Sequence, residues 1–229
     1  MEWMQTWPEK HPDWAYRLYG NNDLKRMDFR TRAQIDEYLR RGQYHGVADL
    51  MRYEILYREG GYMAGADSIC LHNIEELLTR PCAHTVYENE LVRGELVAPV
   101  VACPPGDPFV GQLVEQLART DPRHLHDPWH STGNLFVSRM IWEWRPDIVI
   151  WPSYRLIPVH YTGVSYEGDG KVYANQLFGA TRRSYGRYRA RHLLDRWLYK
   201  RTRARQERYR RKAMRALKRS PAGPSVGWG

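Results

Sequence analysis

Asp49 and Arg52 stand three residues apart in "ADLMRYEILYREGGYMAGADS", and the same run reaches Gly60-Gly61 before a lone carboxylate, Asp67. On a helix, residues at that spacing are surface neighbours. Arginine offers a planar fork of donors matched to phosphate, and a carboxylate accepts from sugar hydroxyls or holds a cation. An acid, a base and a glycine turn delivered to one end of a sheet would suit a phosphate-bearing ligand. On the residues alone, an i,i+3 ion pair ahead of an ordinary turn fits as well.

Other residues could carry chemistry. Glu88 and Glu90 follow an apolar run, and one of them could orient an acceptor hydroxyl or simply end a strand. His124, His126 and His130, with Asp127 among them, sit in "PRHLHDPWHSTGN" at mixed spacings that fit no metal-ligand template, so an exposed loop is the better reading. "EGDGK" (167–171) reads as a turn, since a phosphate loop needs more. Trp142, Trp144 and Trp151 read as core residues.

The elements that must position these groups alternate. Thr31 with Gln34 offers a capping box, Ile35, Tyr38 and Leu39 a helical stripe, and Gly42 a stop. Val47, Leu50, Met51 and Ile55 mark a core-facing helix ending at Gly60-Gly61. Asn73 with Glu76 caps a short helix bearing Leu77 and Leu78. Residues 85–90 and 95–103 read as strands, the second apolar enough to be buried on both faces. Asp107-Pro108 opens a helix with Val110, Leu113, Val114 and Leu117 on one face. Residues 147–152 and 155–160 are further strands. Alternation of this kind predicts an α/β fold with a mostly parallel sheet flanked by helices.

The chain has 229 residues, 42% of them hydrophobic and 13% aromatic, which excludes a disordered composition. No apolar run approaches the ~20 residues of a membrane span, and the opening Met1-Glu2-Trp3 does not read as a signal peptide. Cys70, Cys82 and Cys103 show no paired ligand spacing and read as buried thiols of a cytoplasmic protein. The net charge of +9 is unevenly placed: residues 182–219 hold 17 Lys and Arg against Asp195 and Glu207, and the rest holds 18 bases against 24 acids. The basic stretch 187–219 has a helical pattern with Leu194, Trp197 and Leu198 as an apolar patch. It could dock on the core, attach to an anionic membrane surface at the inner face, or contact nucleic acid, in that order. Residues 220–229 read as a disordered end.

The residues 48–68 resemble the segment "sDllRyeiLyryGGiYlDtDv" of DXD-type sugar transferases. That family includes the fungal initiating mannosyltransferases and bacterial capsular-sugar transferases, and it is distantly similar to the clostridial glucosylating toxins. "TWPEKHPDWAYRLYG" (6–20), "CLHNIEELL" (70–78) and "GELVAPVVACPPGDPF" (94–109) extend the likeness. The resemblance implies a GT-A (Rossmann-like) domain over residues 1–185, ahead of the basic helical tail read over 186–219, and retaining transfer from a nucleotide-sugar, usually a UDP-sugar. The acceptor would be a glycan, lipid-linked or protein hydroxyl. It also implies roles. Asp49 would bind sugar or ribose hydroxyls, Arg52 the sugar or diphosphate, and Asp67 the Mn²⁺ or Mg²⁺ that bridges the diphosphate. Gly61, Gly65 and Ala66 would line the donor, as would Thr132, Gly133 and Asn134, since "STGNLF" is similar to the family's "tGP..l" segment. The chain departs from the pattern in two places. The first Asp of the DXD falls at Gly65. The family's C-terminal His-rich segment is matched by "YANQLFGAT" (173–181), with Gln176 where a histidine would stand, so Gln176 or His160 would complete a metal site. Absent a working metal site, the same scaffold would serve as a sugar-nucleotide or glycan-binding protein.

Overall fold

The computed structural model of the chain describes residues 2–178 together with 211 and 215; the expected basic tail and C-terminal end otherwise lie outside the described residues. Thirteen regular elements concern us: helices α1 (Glu2–Lys10), α2 (Asn21–Arg26), α3 (Arg32–Arg40), α4 (Tyr44–Glu59), α5 (Pro108–Arg119), α6 (Pro128–Ser131) and α7 (Asn134–Trp144), and strands β1 (Gly61–Tyr62), β2 (Ser68–Cys70), β3 (Ala83–Val86), β4 (Ala102–Cys103), β5 (Ile148–Trp151) and β6 (Ala174–Gln176).

The α4 helix is the spine. Val47, Leu50, Tyr53, Ile55 and Leu56 are buried against the apolar face of α5, where Val110, Leu113, Val114 and Leu117 sit, and against Ile35 and Tyr38 of α3. Burial stabilises by about 1.5–3 kcal/mol per such side chain, which fixes the polar edge carrying Asp49 and Arg52. The helix stops at Gly60, whose φ of +68° suits glycine and whose missing side chain matters: a Cβ there would lie 2.6 Å from Pro105. The α5 start follows the sequence, with Asp107 Oδ1 accepting from Val110 N at 3.0 Å and Pro108 in the first turn.

The α3 start does not. Thr31 precedes the helix but makes no side-chain capping bond. Its hydroxyl and backbone N–H instead donate to Glu54 Oε1 of α4 at 2.7 and 2.8 Å, while Arg30 N donates to Oε2 at 2.9 Å. Gln34 turns away to donate to the carbonyls of Ala118 and Thr120. A buried carboxylate thus performs the capping, held also by Arg58 at 2.8 Å.

The expected mostly parallel sheet is corrected. The larger sheet has the order β1-β4-β3-β5, with β1/β4 and β4/β3 antiparallel and β3/β5 parallel. Parallel pairing needs a long crossover, and the segment through α5, α6 and α7 supplies one between β4 and β5; residues 87–101 merely fold back. The strand expected over 95–103 shrinks to Ala102–Cys103 because Val97 N is taken by Ser138 Oγ at 3.0 Å and Pro99 has no donor. Residues 155–160 form no strand: a 3₁₀ turn occupies Ser153–Arg155, and beyond it Val159 makes one isolated bridge to Ser165. All three cysteines are buried free thiols.

A second, two-stranded sheet pairs β2 with β6 in the register Ser68↔Gln176, Ile69↔Asn175, Cys70↔Ala174. That register brings Gln176 beside the turn that carries Asp67. Helix α1 holds β2 with side chains. Trp7 Nε1 donates to Ser68 Oγ at 3.0 Å, and Cys70 N donates to Thr6 Oγ1 at 2.8 Å. Ile74 N donates to His11 Nε2 at 3.0 Å, so His11 Nδ1 carries the proton it donates to Trp7 O at 2.9 Å.

Candidate functional site: the edge of α4 and the turn before β2

Asp49 faces the junction of α6 and α7. Thr132 is fully buried and its Oγ1 lies 3.0 Å from Asp49 Oδ2. The Thr132 carbonyl accepts from Tyr53 OH, one residue beyond Arg52, at 2.5 Å. At Gly133 a Cβ would lie 3.1 Å from Pro128 O, 3.2 Å from Trp129 Cα and 3.3 Å from Asp49 Oδ2, so the absence of a side chain there lets the turn close against the carboxylate. Burial pushes the Asp49 carboxyl up to about 6, opposed by the charge of Arg52, the Thr132 hydroxyl and His45. Thr132 and Gly133 therefore both meet Asp49.

Arg52 is not spent on an ion pair. Among the described residues it forms none, and its buried Nε has no hydrogen-bond partner. Its charge is felt by Asp49 and by Tyr62 of β1. In place of a surface ion pair, α4 therefore carries an arginine that no ion pair among the described residues uses.

The turn itself is tied down. Gly61, with φ +89°, opens β1, and Met63 N donates to Val101 O at 2.7 Å. Ser68 returns both its N–H and its hydroxyl to Gly65 O, at 3.1 and 2.6 Å. Asp67 receives Leu177 N on its carbonyl at 2.8 Å, and its Oδ1 accepts from the Gln176 amide. The other end of that amide fills the space beside Gly65: a Cβ there would lie 2.8 Å from Gln176 Oε1. Ala66 is exposed at the tip.

A second acid lies across α7. Glu88, 4% exposed, sits just past β3, and burial pushes its carboxyl up to about 7 against the pull of Trp129 and Asn134. Its Oε1 is 3.7 Å from Nε2 of buried His160, whose Nδ1 meets Thr162 Oγ1 at 2.7 Å. Its Oε2, like Trp129 Nε1, makes no hydrogen bond. Glu90 turns elsewhere, to Ser153 Oγ and Tyr154 N, and holds a loop. The turn 129–134 therefore meets Asp49 through Thr132, while Trp129 and Asn134 favour the charged form of Glu88. The sequence leaves Glu88 equally an acceptor-orienting acid or a plain strand-end acid and does not point to Trp129, because no local signal ties an indole in a Pro-rich loop to a strand end. His130 pairs with Asp127 at 2.6 Å, while His124 and His126 are exposed.

The divalent cation implied by the resemblance fits these residues poorly. Hard cations collect oxygen ligands carrying negative charge. Here the single acid of the turn already accepts an amide N–H, and the place of a second acid is filled by Gln176. His160, expected as an alternative ligand, faces Glu88 and Thr162. Among the described residues no group of three or more His, Cys, Asp or Glu is arranged around a common point. No helix among them is long and apolar enough to cross a membrane.

Inositol phosphoceramide mannosyltransferase 3 of Schizosaccharomyces pombe is 31% identical over 153 residues, which cover 62% of this chain and 40% of that protein. The chain thus spans well under half the length of that relative. Among solved structures, PaToxG Glycosyltransferase is similar with a TM-score of 0.42 and 14% identity, over 53% of this chain and 42% of the other. Residues 1–84, which contain Asp49, Arg52, Gly61 and Asp67, match the family described as "Glycosyltransferase sugar-binding region containing DXD motif", and it is these DXD-type sugar transferases that the chain resembles.

Proposed function

We propose that the chain transfers a sugar from a nucleotide-sugar, of the UDP-sugar class, to a hydroxyl acceptor with retention at the anomeric carbon, on a GT-A-like domain reaching to about residue 185. The observation that carries this reading is Arg52: a half-buried guanidinium, unpaired among the described residues, three residues along α4 from a carboxylate, Asp49, against which Gly133 packs. In that arrangement Asp49 accepts from donor hydroxyls and Arg52 places two parallel N–H donors on the diphosphate. As the bond from the anomeric carbon to the diphosphate oxygen breaks, negative charge grows on the leaving group, and a fixed guanidinium in a partly desolvated site stabilises it. The acceptor oxygen bonds to the same carbon, and its proton passes to the departing phosphate. Glu88, across the turn 129–134, orients the acceptor hydroxyl.

The relative's name supports a lipid-borne acceptor bearing inositol and phosphate. The basic stretch 187–219 would then hold the chain at an anionic membrane surface, from the cytoplasmic side. The tie between Gln176 and Asp67 supports a second reading, a sugar-nucleotide-binding protein without turnover. A panel of nucleotide-sugars assayed for donor hydrolysis separates the two. Transfer predicts hydrolysis of at least one donor that drops about a hundredfold or more in Asp49→Ala, with Glu88→Gln retaining hydrolysis while losing transfer. Binding to a donor without hydrolysis by the wild type would favour the second reading.

A further inference from the structure

The geometry points to a donor site that takes the diphosphate without a divalent cation, with the Gln176 amide standing where the missing acid and its metal would be and Arg52 supplying the positive charge. This rests on the reading of the site as a nucleotide-sugar site.

Three observations converge. First, Gly65 and Gln176 are a matched pair. The register of β2 with β6 sets Gln176 opposite Ser68, and its Oε1 lies 2.8 Å from where a Gly65 side chain would begin. A side chain at residue 65 would push the end of the flexible glutamine aside, so the amide keeps this position because the acid is missing. Second, Gln176 Nε2 donates to Asp67 Oδ1. An amide N–H donor directed at the carboxylate offsets part of its charge and occupies the oxygen a cation would need. For a cation to enter, that bond must break and the amide must turn over. It would then gain one carboxylate and one neutral oxygen, a weak set for a hard ion. Third, the turn is braced in this state: Ser68 returns two bonds to Gly65 O, and Ser68 Oγ is itself held by Trp7 Nε1 at 3.0 Å. The compensating charge is on the neighbouring edge of α4. Arg52 has a buried Nε without a partner and no ion pair among the described residues, and its field reaches Tyr62 at the start of the turn. A guanidinium fork can meet two phosphate oxygens directly, as a bridging cation does.

Calorimetric titration of the full chain with UDP and with GDP tests this, in excess EDTA and again in millimolar Mn²⁺. The wild type should bind one of them with a Kd that differs by less than about threefold between the two buffers, and Arg52→Gln should weaken that binding tenfold or more in both. The double variant Gly65→Asp/Gln176→His restores an acid and an imidazole. It should become Mn²⁺-dependent, binding at least about tenfold more tightly with the ion than in EDTA. Binding by the wild type only in Mn²⁺ would overturn the inference while leaving the donor site standing. Failure of both nucleotides to bind in either buffer would overturn it together with the donor reading. A melting temperature of the double variant close to wild type checks that the exchanged pair still folds, and electron paramagnetic resonance of Mn²⁺ alone reads the gain of the site without any nucleotide.

Discussion

Asp49 carries a conflict between stability and use. Its carboxyl is pushed up to about 6 by burial, so the folded state holds a proton that the unfolded chain releases near the ordinary carboxylate value. Between roughly pH 4 and 6 the folded form binds more protons, and stability falls as pH rises through that window. Donor hydroxyls, however, are best met by the ionised form, so donor affinity should rise through the same window and level off above it. The variant Asp49→Asn removes the cost of a buried charge. It should melt a few degrees higher than wild type at pH 7.5, about 2–4 °C for each kcal/mol in a chain of this size, and should lose donor binding at least tenfold. Differential scanning fluorimetry with and without a nucleotide-sugar reads both. Asp49, Arg52 and the double glycine were legible in the sequence because their spacing on one helix is local. Gln176 was legible only as a stand-in ligand. Its actual role, donating to Asp67 and filling the space at Gly65, depends on a strand register more than a hundred residues away in sequence.

At the scale of elements, the sequence foresaw helices better than strands. The apolar steps of α4 and α5 and the Asp107-Pro108 start are set by neighbours within a turn or two. The strands are short, from two to four residues, and their pairing is decided by which crossover is long enough; hence a mixed sheet where a mostly parallel one was expected. The α3 start shows the same limit. Thr31 and Gln34 suit a capping box, yet Glu54 of the next helix takes the free N–H groups of residues 30 and 31. Replacing Glu54 by alanine leaves two backbone donors, a hydroxyl and Arg58 without their acceptor. It should cost about 3–5 kcal/mol, seen as a lower urea midpoint at unchanged slope, while donor affinity in the remaining folded protein stays within a few-fold.

Taken whole, the chain keeps its candidate site residues and most of its positive charge in different stretches of sequence. In the described part, Thr132 of the turn 129–134 meets Asp49 on α4, and Gln176 of β6 meets Asp67 ahead of β2. The positive charge is concentrated beyond these elements, in residues 182–219. If those residues serve an anionic surface, a chain ending at residue 186 should stop sedimenting with phosphatidylserine vesicles at low salt, and nucleotide binding should be unaffected. Binding of the shortened chain to vesicles as strongly as wild type would assign membrane contact elsewhere. The match to the sugar-transferase family model covers residues 1–84, which hold Asp49, Arg52 and Asp67 but not Glu88. The central claim concerns the donor side and has a direct test. Melting temperature measured across a panel of nucleotide-sugars at about a hundred times Kd should rise about 5–10 °C with at least one of them, and the rise should vanish in Arg52→Gln and in Asp49→Ala. A panel without any shift, or a shift that survives both substitutions, would contradict the account.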